Sequence, residues 1–148
     1  WFEETLAETA SIFSLRAMAR SWKTKPPYPH WADYRDHLRG YADDVIVKRS
    51  RVTEIHQKGV ADFYRKHRKT LEKNCCDREV NGAMAVVLLR LFEEKPERWE
   101  SVRWLNSSPS PEGATFQQYL RKWRAAAPKR HKAFVEKIAT LFGVSIGS

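Results

Sequence analysis

A chain of 148 residues is of the size for one folded unit, one that buries roughly 70% of the surface its unfolded form exposes. An apolar fraction of 42% with 30% charged residues excludes a disordered composition, and no apolar run reaches the length needed to cross a bilayer. The formal charge of +9, from 27 Lys and Arg against 18 Asp and Glu, makes nucleic acid or an anionic membrane a physically possible partner but establishes neither.

The chain starts at Trp1, carries no signal-like segment and reads as a piece of a longer protein. Its first helix is marked by Phe2, Leu6, Phe13 and Ala17, with a second row at Ile12, Leu15, Ala19 and Trp22. Two apolar rows predict burial on most sides. The helix should run from residue 1 to about Lys25, where Pro26, Pro27 and Pro29 remove donors and bias their neighbours away from helical angles. PPYPHW is then a rigid connector.

From Trp31, the spacing of Trp31, Tyr34, His37, Leu38 and Tyr41 predicts a short helix ending near Gly40. A long basic amphipathic helix should follow, marked by Val45, Val52, Ile55, Val60, Phe63 and Tyr64, with Gly59 as a weak spot. Asn74 to Asp77 reads as a turn holding two adjacent cysteines, with Asp77 as N-cap of the next helix. Cys75 and Cys76 cannot make a four-ligand zinc site alone, and a disulfide between neighbours strains the ring, so they read as ordinary thiols.

REVNGAMAVVLLRLFEE has the densest apolar run and is the expected central helix, ended by Pro96. ERWESVRWLN predicts a short helix and SSPSPEG a surface loop. Phe116, Tyr119, Leu120 and Trp123 then share one helical face. Pro128 starts a last helix packed by Phe134, Val135, Ile138, Leu141 and Phe142, which Gly143 should close. With no alternating strand pattern and no internal repeat, residues 1 to 148 read as a single all-α domain, an irregular bundle of about six to seven helices.

The opening stretch WFEETLAE holds Glu3, Glu4 and Glu8 before any Lys or Arg appears. On a helix Glu4 and Glu8 lie one above the other, and like charges so placed cost an isolated helix roughly 0.2–0.5 kcal/mol. The plain structural reading is that acids in the first turns complement the positive end of the helix dipole. The functional reading is that a cation sits against this face, with Glu4 as a metal ligand and Glu8 one turn later orienting a ligating His.

WFEETLAE resembles the segment W-x-x-E-x-x-A-E that carries the third zinc ligand in gluzincin metallopeptidases. Trp1 matches the aromatic residue that opens the segment, Glu4 the metal-binding Glu and Glu8 the acidic position one turn on. Over most of its length the chain is also similar to the C-terminal helical part of bacterial proteins of this HExxH type, through the PPYP connector, NGAMAVVLLRLFEEKPERWESVRWLN and FVEKIATLFG. The resemblance implies zinc as cofactor, peptide or protein as substrate, and the C-terminal portion of a zincin-like fold. This chain has no HExxH. Two His ligands and the general-base Glu would therefore come from an upstream segment, and this fragment holds no catalytic residue and should not hydrolyse peptides alone.

A gluzincin-like site often gains a His or Tyr from the helical region beyond its third ligand, and His56 and Tyr64 are the oxyanion-donor candidates. His30 and His37 can share a helix face but have no carboxylate at a spacing that completes a metal site. The stretch with Arg65, Lys66, Arg68 and Lys69 is a candidate nucleic-acid stripe. Glu54, Asp62 and Glu72 interrupt it, so a solvated helix face is the preferred reading. A non-catalytic helical interaction module is the other alternative. Oligomeric state is left open by the residues.

Overall fold

A computed structural model describes residues 1–107 and 109–147; Ser108, within the loop expected at SSPSPEG, and Ser148 lie outside them. The described residues are all-helical, as expected. The α-helices are α1 (Phe2–Ser21), α2 (Tyr34–Arg49), α3 (Thr53–Lys58), α4 (Val60–Lys73), α5 (Arg78–Glu94), α6 (Phe116–Ala126) and α7 (Lys129–Leu141). Two 3-10 segments, Pro29–Trp31 and Pro96–Trp104, serve as connectors. None of the helices is long and apolar enough to cross a membrane.

The central helix is α5, as its apolar density requires. Asp77 caps it: its side chain accepts from the backbone N–H of Glu79 and of Val80, each at 3.1 Å, supplying two donors of the first turn with a partner. Residues from Val80 to Phe92 are buried on several faces, and α1, α2 and α4 all pack on this helix. The crossing of α1 over α5 is close because small and polar side chains meet there. Thr5 Oγ1 lies 3.2 Å from both Trp1 O and Asn81 Oδ1, and Thr9 Oγ1 lies 2.7 Å from Thr5 O and 3.3 Å from Ala85 O. Both hydroxyls are fully buried and bonded, so their burial carries no desolvation penalty left unmet.

The main core joins Phe2 and Leu6 of α1, Phe63 and Tyr64 of α4, Met84, Leu88 and Phe92 of α5, Trp123 of α6 and Phe134, Ile138 and Phe142 near α7. Trp123 is fully buried, and its indole N–H donates to Ser101 O at 2.8 Å, which ties α6 to the second 3-10 segment. A smaller core of Ile12, Ala42, Val86 and Leu89 lies under α2.

Several elements differ from the sequence expectation. Helix α1 ends at Ser21 rather than near Lys25, and its burial is a stripe of Phe2, Thr5, Leu6, Thr9 and Ile12 rather than most of its surface. Gly40 lies inside α2, which runs on to Arg49 and takes in Val45. The expected long helix is accordingly broken after Arg49 and again at Gly59, whose φ of 85° is open to glycine. The physical reason is that Ala42 belongs to the small core and Phe63 to the large one, and one straight rod cannot serve both. The segment from Pro96 forms 3-10 turns rather than an α-helix.

Candidate metal-ligand face and cleft

The first turns of α1 place their three carboxylates in three different settings. Glu3 Oε1 accepts from Asn106 Nδ2 at 2.6 Å and from the Tyr119 hydroxyl at 3.0 Å, fastening α1 to α6. Burial, reinforced by the charge of Glu3, pushes the Tyr119 phenol well above its ordinary range, so it stays a donor. Glu8 Oε1 accepts from Arg49 Nε at 2.9 Å, a bond from α1 to the end of α2. Glu4 is exposed and has no hydrogen-bond or ion-pair partner among the described residues.

Glu4 and Glu8 lie on the wall of a cleft of about 610 Å³. Its α1 side adds Ser11, Ile12 and Leu15; its α2 side holds Tyr41, Val45, Lys48 and Arg49; Cys76, Arg78, Asn81 and Gly82 close it at the start of α5. Asn81 builds this end. Its Nδ2 donates to Cys75 O at 2.8 Å while its Oδ1 faces Thr5, so the cysteine turn is pinned against the first turn of α1.

Both cysteines are exposed free thiols with their sulfurs 3.3 Å apart. The Cys76 thiol is pushed up, first by its hydrogen bond with Cys75 and by that neighbouring thiol, then by burial and by the negative charge of Glu4. The sequence reading had not connected these cysteines with Glu4, and no local pattern joins them: Asn81 does so through contacts spanning α1 and α5. Among the described residues, no group of three or more His, Cys, Asp and Glu is arranged to hold a metal ion. Of the three opening carboxylates, Glu4 is the one without a partner among the described residues.

The two oxyanion-donor candidates do not reach this cleft. His56 is exposed on α3, and Tyr64 is buried in α4, with burial raising its pKa. The Tyr64 ring stacks on Trp1 at 5.3 Å and packs near Phe116 and Phe142, so its place is in the aromatic core under the start of α1. His30 and His37 line a separate hollow with Trp31, Asp33 and Tyr34. In the basic stretch, Arg65 pairs with Asp62 at 2.7 Å, Lys66 with Glu54 at 2.6 Å and Arg68 with Glu72 at 3.4 Å. Those pairings spend on neighbouring acids the charge that a phosphate stripe would present; Lys69 is exposed without such a pair among the described residues.

Comparison with models of known protein families, with curated proteins and with solved structures finds no match to this chain.

Proposed function

We propose that this chain is the helical C-terminal portion of a zinc-metallopeptidase-like protein, with Glu4 as a metal ligand and two His ligands contributed by an upstream HExxH-bearing segment. The observation that carries the reading is the setting of Glu4. Of the three opening carboxylates it alone is uncommitted, and it stands on the wall of a cleft rather than on a convex surface. Glu3 is held by Tyr119 and Asn106, so it anchors the helix that presents Glu4. Glu8 uses Oε1 for Arg49, and Oε2 has no hydrogen-bond partner among the described residues, which leaves it an acceptor for the ring N–H of a ligating His.

Zinc, when bound, would polarise a peptide carbonyl and lower the pKa of a coordinated water. The residues of this chain act around that chemistry. Glu4 supplies negative charge and an oxygen donor, and the Thr5, Asn81 and Cys75 contacts hold the turn of α1 that carries it. The test joins the chain to its HExxH-bearing segment and measures bound zinc. Stoichiometric zinc is expected, with a large loss on Glu4→Ala and a loss of affinity of about 10–100-fold on Glu8→Ala. Zinc held unchanged after Glu4→Ala would overturn the assignment.

A second reading, a non-catalytic helical interaction module, is favoured by one feature. Tyr28, Trp31, Tyr34, Tyr41 and Val47 are all exposed along residues 28–47, more large apolar side chain than α2 needs for packing on α1.

A further inference from the structure

Arg49 is held through one nitrogen. Its Nε donates to Glu8, while Nη1 and Nη2 have no hydrogen-bond partner among the described residues. The stem lies flat against α5 because position 82 is glycine. A Cβ there would stand 2.4 Å from Arg49 Cδ and 2.5 Å from Nε, closer than unbonded atoms approach. Glycine inside a helix is weaker than alanine, and the contact that requires it here is this arginine.

Lys48 and Arg78 line the same cleft, also without an ion-pair partner among the described residues. With Arg49, three cations stand against two carboxylates, Glu4 and the Glu8 that is bonded to Arg49, so the cleft carries a net positive charge. Leu15, Val45 and the exposed Tyr41 give the cleft an apolar wall. The basic notch between the other halves of α1 and α2 is different, because its arginines are committed: Arg16 to Asp43 and Glu93, Arg35 to Asp36, and Arg39 to Asp43.

A guanidinium fixed at Nε presents its two Nη groups as a fork, which matches the two oxygens of a carboxylate. An apolar wall beside that fork suits the side chain next to the carboxylate. We infer that the cleft is a binding subsite for the C-terminal carboxylate of a peptide ending in an apolar residue. Arg49 is its anchor, and Lys48 and Arg78 add positive charge. If Glu4 ligates zinc as proposed above, the subsite lies about one helical turn from that ligand and peptide chain ends become the substrate class. The binding itself needs neither zinc nor that reading.

The test is calorimetric titration of this chain, without metal and at low salt, with acetyl-Ala-Ala-Leu, with its C-terminal amide and with inorganic phosphate. The free acid is expected to bind, the amide at least about tenfold more weakly, and phosphate more weakly than the acid. Gly82→Ala keeps every charge and favours the helix, yet it displaces Arg49; Arg49→Lys keeps the charge and removes the fork. Each should weaken binding of the acid about tenfold while circular dichroism shows the fold retained. Equal binding of acid and amide, phosphate binding as tightly as the peptide, no binding of the acid, or unchanged affinity in a folded variant would overturn the inference. Absence of peptide binding by the unsubstituted HExxH-joined protein, with zinc retained, would fell this inference alone, while the Glu4→Ala zinc measurement judges the metal reading by itself.

Discussion

At Gly143 two requirements meet. The residue closes α7 with φ of 67°, and the backbone bonds from Val144 N to Ala139 O at 2.8 Å and from Gly143 N to Thr140 O at 3.0 Å complete the terminal turn. A Cβ there would also stand 2.9 Å from Ala61 Cβ on α4. Gly40 is the opposite case: it sits inside α2 and a Cβ there meets nothing within 4 Å. Gly143→Ala should therefore cost about 1–3 kcal/mol, whereas Gly40→Ala should gain about 0.5–1 kcal/mol. Urea unfolding of the two variants checks this, and shifts of the same sign would refute the account. Sequence reading placed Gly143 correctly at a helix end, because a glycine after an apolar-periodic run is a local signal. It misplaced Gly40, because whether a helix continues through glycine depends on what the next turn can bury.

Among the elements, α5 shows how a helix becomes central. Its apolar run has no single polar stripe, so it must be covered on several sides, and α1, α2, α4 and the second 3-10 segment do so. Its start depends on Asp77. Asp77→Ala should destabilise the protein by about 0.5–2 kcal/mol, since the Glu79 and Val80 N–H groups would lose their acceptor. Hydrogen exchange should quicken at the first turn of α5 and at the Cys75 turn beside it. A thermal melt identical to the parent would count against the cap. Helix α6 is started in the same manner by Thr115 and Gln118, whose mutual bonds form a capping box. Such signals lie within a few residues of one another, which is why the start of α5 was legible; that of α7 was legible from Pro128. The division of residues 45–73 into the end of α2, α3 and α4 was only half legible: Gly59 showed the weak point, but its use as a corner follows from the positions of two separate cores.

For the molecule as a whole, charge is arranged so that most acids answer nearby cations despite the excess of Lys and Arg. Arg16 links three helices through Asp43 of α2 and Glu93 of α5. Glu54 is held below its ordinary value of 4.5 chiefly by its hydrogen bond from Lys66, and Glu94 chiefly by that from Arg98. A carboxylate whose folded pKa lies below its unfolded one contributes stability that is complete above the unfolded value and fades as pH falls through the folded value. Thermal stability should thus be flat from neutral pH to about pH 5 and decline below about pH 4.5. The contribution is small because Glu94 is exposed and Glu54 remains in contact with solvent, and it should shrink further in high salt. Glu54→Gln with Glu94→Gln should flatten the acid limb of a melting-temperature profile; a double variant with an unaltered limb would show that other groups govern it.

The sequence by itself determined the helical class, the central rank of residues 78–94, the cap at Asp77, the helix start at Pro128 and the stop at Gly143, because periodicity, capping and proline act over a few residues. It also singled out Glu4 and Glu8 as a pair on one face. Only the tertiary structure decided their different circumstances: Glu8 meets Arg49, 41 positions away, and Thr5 meets Asn81, 76 away. Such meetings depend on how α1, α2 and α5 cross. Those crossings are set by the volumes buried between helices, and Gly82 makes room for Arg49 at a place that no spacing within either segment announces.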